Sequence, residues 1–179
     1  CTTQRCIYSA VVYNVLFDNT TGDYNGPSRL NSLGANTTSN TNVANGFNSL
    51  RSNTTGSNNT ANGFNSLGAN TTGNSNVANG FNSLRSNTTG GNNTANGYEA
   101  LRENTEGSGN TANGFSALYT NTTGSNNTAI GYYADVNANN YSNATAIGNG
   151  AIVTATNRVR IGNGSVARIG GGQSWTTIS

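Results

Sequence analysis

Thr-Ala-Asn-Gly-Phe-Asn-Ser-Leu-Gly-Ala-Asn-Thr-Thr-Gly-Asn-Ser-Asn, residues 60–76, is followed without a gap by Val-Ala-Asn-Gly-Phe-Asn-Ser-Leu-Arg-Ser-Asn-Thr-Thr-Gly-Gly-Asn-Asn at 77–93. The unit is seventeen residues long; its Ala-Asn-Gly-Phe-Asn-Ser-Leu core also stands at 44–50 and, with changes, at 95–101 and 112–118. A glycine marks the same phase at Gly46, Gly63, Gly80, Gly97, Gly114, Gly131 and Gly148, and an aromatic follows all but the last. Tandem repeats of this length belong to stacked arrays, in which each unit buries its apolar side only against its neighbours. A rod-like scaffold is expected before any chemistry.

The stack is expected to be built of strands. Asn, Gly and Thr are poor helix formers, and no window places apolar residues at helical spacing. Leu33 and Leu67 precede Gly-Ala whereas Leu50 and Leu84 precede Arg-Ser, so a thirty-four-residue alternation overlies the shorter period. That length could suggest tetratricopeptide helices, and the composition excludes them. Each unit reads as one coil of an all-β parallel β-solenoid, or β-roll. A short strand runs through Thr-Ala-Asn-Gly-Phe, and the chain turns around Asn-Thr-Thr-Gly. At the inter-strand spacing of about 4.8 Å, roughly seven or eight coils make a rod of about 35 Å. Phe47, Phe64, Phe81, Tyr98, Phe115 and Tyr132 are expected to form one ladder. Leu33, Leu50, Leu67, Leu84, Leu101 and Leu118 are expected to form another. Gly56, Gly73, Gly90 and Gly124 are expected to supply positive φ or close backbone approach at the turns.

Composition narrows the function. The 179 residues carry no His, no Met and no Lys, and about a fifth of them are Asn. Only 8% are charged and 32% hydrophobic, below the norm for a compact globule. Such a chain folds only if its backbone hydrogen bonds are shared systematically between copies. The little apolar area in each coil makes further burial between chains the expectation, hence an oligomer. A net charge of +2, with the arginines scattered singly, argues against nucleic acid. No stretch is long and apolar enough for a membrane span. Three regions are expected: an N-terminal strand segment at 1–26, the tandem repeats at 27–148, and a C-terminal β segment at 149–179. Residues 6–17 form the most apolar run and read as a strand. Cys1 and Cys6 are candidates for a local disulfide or a link between subunits; alternatively, Cys1 begins a mature bacterial lipoprotein.

Asn-Ala-Thr-Ala-Ile-Gly-Asn-Gly-Ala at 143–151 and Thr-Ala-Ile-Gly at 128–131 resemble the head repeat of trimeric autotransporter adhesins and related trimeric phage tail fibres. The run at 157–179, ending Gly-Gly-Gly-Gln-Ser-Trp-Thr-Thr-Ile-Ser, is similar to the segment before an endosialidase-type intramolecular chaperone. The resemblance implies a parallel β-roll in which three chains pack around a threefold axis. It also implies a chaperone that trimerises the fibre and cuts itself off after a serine near Ser179. The chain departs from that pattern in its unit, which is longer than the family's fourteen or fifteen residues. It departs again where Asn45, Asn62, Asn79, Asn96 and Asn113 replace the family's Ile or Val.

Catalysis is not expected. Without His or Lys the usual general bases are missing, and so are metal-ligand sets. No catalytic, cofactor-binding or metal residues are assigned. Glu99, Glu103 and Glu106 read as a solvated surface. Asn-Xaa-Thr sequons such as Asn53, Asn70, Asn87 and Asn121 read as structural amides that bond copy to copy. The expected function is a non-enzymatic extracellular fibre or filament subunit with an adhesive role towards host-cell or surface glycans or proteins. Ile7, Val11, Val12, Val15, Leu16 and Phe17 are candidate donor-strand residues for head-to-tail polymerisation. A phage tail-fibre receptor-binding segment is the alternative. An ice-binding solenoid, suggested by the paired threonines, is the second.

Overall fold

The structure is a computed structural model that describes residues 18–165. Eleven short strands follow in order: β1 (Gly26–Pro27), β2 (Val43–Asn45), β3 (Thr60–Asn62), β4 (Val77–Asn79), β5 (Thr94–Asn96), β6 (Thr111–Asn113), β7 (Thr128–Ile130), β8 (Asp135–Val136), β9 (Thr145–Ile147), β10 (Ile152–Val153) and β11 (Val159–Ile161). Nine of them form one parallel sheet in the order β1-β2-β3-β4-β5-β6-β7-β9-β11, and β8 pairs with β10 in a second. Thr60 lies opposite Val77, Ala61 opposite Ala78 and Asn62 opposite Asn79, so sequence equivalents are spatial neighbours. This is a β-solenoid, and no helix occurs among the described residues. No helix is long and apolar enough to cross a membrane there.

Bonding between coils does not stop where the strands end. The Asn65 N–H donates to the Phe47 carbonyl at 2.9 Å, Leu67 to Ser83 at 3.0 Å and Thr71 to Thr88 at 3.0 Å. A polar seventeen-residue coil thus finds backbone partners around its whole circumference. The stacking already holds at Thr20, which donates to the Thr37 carbonyl at 2.9 Å.

The interior holds five rows, one of them the small residues Ser32, Ser49, Ser66, Ser83, Ala100 and Ala117 that precede the leucines, continued by Ala134 before Asp135. Ala44, Ala61, Ala78, Ala95, Ala112, Ala129 and Ala146 form the first, pointing in from the strands. The leucines expected as a ladder, Leu33 through Leu118, form the second and are fully buried. Two asparagine rows complete it, Asn53, Asn70, Asn87, Asn104 and Asn121 in one and Asn59, Asn76, Asn93, Asn110 and Asn127 in the other. Asn70 Nδ2 donates to Asn53 Oδ1 at 2.7 Å and to the Gly73 carbonyl at 3.0 Å. Asn59 Nδ2 donates to the Gly73 carbonyl at 2.8 Å, while its Oδ1 accepts from the Asn76 N–H at 2.9 Å. Buried amides are tolerable only when satisfied. Identical neighbours above and below satisfy them here.

Leucine stands where its backbone least suits it. Leu33, Leu50, Leu67, Leu84, Leu101 and Leu118 have φ between 50° and 52°. Left-handed backbone costs a branched residue about 1–2 kcal/mol. Burying its side chain contributes about 1.5–3 kcal/mol, and leaving the hole empty would cost more. Core filling wins over backbone comfort in every one of these coils. Glycine is required elsewhere: at Gly80, φ is 138° and an added Cβ would lie 2.3 Å from the Gly97 carbonyl oxygen. Gly56, Gly73, Gly90 and Gly124 serve close approach and not positive φ. An added Cβ at Gly73 would meet the Gly90 oxygen at 2.4 Å, and none of the four has left-handed backbone.

The coil changes after Leu118. The next residue in that row is Asp135, which opens β8, and the buried position passes to Val136 and, one coil on, to Val153. Between β9 and β11 the step shortens, so that Ile147 pairs with Ile161 and Asn143 Nδ2 donates to Asn157 Oδ1 across fourteen residues.

Candidate functional site

With Ala and Leu turned inward, each coil shows solvent one strip of sheet and two corners. The sheet strip has three rows. Val43, Thr60, Val77, Thr94, Thr111, Thr128 and Thr145 form the first, and Asn45 through Asn113, continued by Ile130, Ile147 and Ile161, form the second. The second is itself bonded, Asn62 Nδ2 donating to Asn79 Oδ1 at 2.8 Å and Asn79 to Asn96 at 2.8 Å. The aromatic ladder is the third. Its rings stack at 5.3, 5.3, 5.1, 4.9 and 5.2 Å from Phe47 to Tyr132, nearly parallel up to Phe115. Tyr133 packs edge-on against Phe115 and Tyr132.

The aromatics do not lie inside the coil beside the leucines. They are between 36% and 54% exposed, and Ile130, Ile147 and Ile161 join them on the outside. The reason is local: the glycine before each ring turns the backbone out of the strand, and the interior is already filled by Leu, Ala and Asn. The result is an apolar ribbon running from Phe47 to Tyr132, with Ile130, Ile147 and Ile161 on the neighbouring row; contiguous exposed apolar surface of this kind marks an interaction site.

The corner after the buried leucine carries charge in three of the six coils. Arg51, Arg85 and Arg102 stand there, alternating at first with Gly34 and Gly68. Arg102 Nη1 pairs with Glu103 Oε1 at 2.9 Å, its Nε lies 3.6 Å from Glu99 Oε1, and Nη1 also donates to the Tyr119 hydroxyl. Partial burial opposes that charge, but Tyr119, Glu103 and Glu99 outweigh it and hold the guanidinium above its ordinary pKa. Glu99 and Glu103 therefore act as counter-charges. No group of three potential metal ligands comes together among the described residues.

The opposite corner holds the paired threonines. The first of each pair hydrogen-bonds within the stack, as Thr54 Oγ1 does to the Thr71 carbonyl at 3.1 Å and Thr71 Oγ1 to Thr88 at 3.1 Å. Only the second, at Thr38, Thr55, Thr72, Thr89 and Thr123, faces outward, and Glu106 interrupts that row. Asp135 is the one buried carboxylate. It accepts from the Thr120 N–H at 3.1 Å and the Val136 N–H at 2.8 Å, yet desolvation raises its pKa.

Sequence reasoning named the aromatic and leucine rows but missed two features. The sequon asparagines were legible as amides that bond copy to copy, as Asn70 does to Asn53, but their burial was not, although their invariance in phase from Asn53 to Asn121 was a signal. The arginine corner was visible as the thirty-four-residue alternation. Cys1, Cys6 and the candidate donor-strand residues Ile7, Val11, Val12, Val15, Leu16 and Phe17 lie outside the described residues, as does the 166–179 stretch. No family model, curated protein or solved structure matches the chain. The fold and its surfaces alone bear on function.

Proposed function

We propose that the chain is a non-enzymatic subunit of an extracellular fibre, in which three copies run parallel with their aromatic ribbons turned towards a common axis. The observation that carries this reading is the unbroken row from Phe47 to Tyr132, which stays partly exposed although every other large apolar row of the repeat is buried. A ribbon of this kind presents regularly spaced, uncharged rings, which suits burial against copies of itself. The bonded Asn45–Asn96 row beside it needs no solvent to satisfy its amides. Rigid stacking and threefold repetition suit a shaft or an adhesive head, where many weak contacts act together. Head-to-tail extension through an N-terminal strand is part of the proposal, and removal of residues 1–17 tests it by imaging for filaments.

The assembly is tested with the double variant Phe64→Glu/Phe81→Glu. Both rings are outside the coil, so the β-sheet circular dichroism should persist. Sedimentation should shift from a three-chain species to a single chain of 18.3 kDa. A variant that sediments as the parent does would remove the ribbon from the interface.

A further inference from the structure

The arginine corner carries a second surface, built within one chain and independent of the assembly just described. Arg51 and Arg85 stand two coils apart, about 10 Å along the rod. Between them the same position is Gly68, followed by Ala69, and the missing side chains leave a notch of about 260 Å³. Asn48, Asn65 and Ser52 complete its walls. Both arginines are exposed, and neither pairs with a carboxylate; the ion pairs among the described residues all belong to Arg102. The contrast is informative. Arg85 and Arg102 are one coil apart, and there the second guanidinium is neutralised by Glu99 and Glu103. Across the Gly68 coil no acid intervenes.

We propose that this notch binds one carboxylate-bearing sugar, with Arg51 and Arg85 closing on its acid group from either side. A guanidinium presents a planar fork that matches a carboxylate, and two of them converging on one anion relieve their mutual repulsion. The remaining lining suits hydroxyl groups. Asn48 Oδ1 accepts from Asn31 at 3.3 Å, while its Nδ2 has no partner among the described residues, and the Ser52 hydroxyl adds a donor and acceptor. The volume is below that of pockets for drug-sized ligands, so it admits about one sugar ring. The alternation of Gly-Ala with Arg-Ser along the repeat thereby acquires a reason: small coils make room and large coils supply the charge.

Titration calorimetry on the full chain with glucuronic acid, against glucose and inorganic sulfate, tests the assignment. The expected result is weak binding of glucuronic acid that fades with added salt, no binding of glucose, and weaker binding of sulfate. Arg51→Gln and Arg85→Gln should each reduce affinity by about tenfold or more, the scale of one charge-assisted contact. Arg102→Gln should leave it unchanged. Because both notch arginines are exposed, thermal melting of Arg51→Gln and Arg85→Gln should match the parent and show that the fold survives. Equal binding of sulfate, equal binding of an acidic peptide, or undiminished binding by the two variants would overturn the proposal. Light scattering on the same sample keeps the two readings apart, since a single chain that still binds sinks only the trimer.

Discussion

Two left-handed residues sit within three positions of each other in every central coil, and they answer differently to substitution. Asn65 has φ of 54° on the surface, and Leu67 has φ of 51° in the core. Asn65→Gly keeps the conformation and loses no packing, so its effect on chemical denaturation should stay within about 0.5 kcal/mol. Leu67→Ala retains the strain and opens a cavity, so it should destabilise by about 3–5 kcal/mol. Equal effects at the two sites would contradict the balance between strain and burial. Asp135 offers a test by pH. Its folded pKa is raised by burial, so folding favours the protonated carboxyl. That contribution is fully present below the ordinary carboxylate pKa and is lost as pH rises through the raised folded value. Asp135→Asn stays neutral and keeps an oxygen in reach of the Thr120 and Val136 N–H groups. It should raise the melting temperature at neutral pH and flatten its decline between acidic and neutral conditions. An unchanged pH profile would show that the carboxylate is not the group responsible.

At the scale of the coil, the interior is held as much by amides as by hydrocarbon. Asn87 Nδ2 donates to Asn70 Oδ1 at 2.8 Å and to the Gly90 carbonyl at 2.9 Å, and its Oδ1 accepts from Asn104 at 2.8 Å. Asn87→Ala strands the Asn70 Oδ1 and one Asn104 N–H, each worth about 1–3 kcal/mol when left unpaired, while the Gly90 carbonyl keeps its bond from Asn76 at 2.9 Å. Denaturation should register a loss comparable to that of Leu67→Ala despite the smaller volume removed, and a loss below about 1 kcal/mol would contradict the amide ladder. Period, strand position and the leucine row were legible in the sequence because each depends on one residue type recurring in phase. The placement of Asn inside and Phe outside was not. A three-residue strand such as Thr60–Asn62 offers a single inward position, Ala61, too little alternation to orient the rest of the coil. Asparagine reads as a turn residue in a single copy; only stacking makes its burial affordable, and stacking is a property of the array. The positive φ at Leu67 left no trace at all, since leucine is chosen there for its volume.

For the whole molecule, the rod leaves a long apolar ribbon on one side and an uncompensated cationic notch at a corner. The coil geometry explains both without any further partner, but not why the ribbon should stay wet. The strand-side row beside it carries no charge, with Asn45, Asn62, Asn79 and Asn96 bonded to one another, and leaves no barrier there to close approach by an equivalent face. In the proposed trimer, the Asn row that stands where the resembling family has Ile or Val would leave the aromatic row as the main apolar content of the interface. The most direct measurement is the mass of the unaltered chain in solution by multi-angle light scattering. Three chains of 18.3 kDa correspond to about 55 kDa, which is the mass expected at every concentration above the dissociation constant. A stable species of 18.3 kDa at high concentration, its aromatic ribbon open to water, would contradict the account.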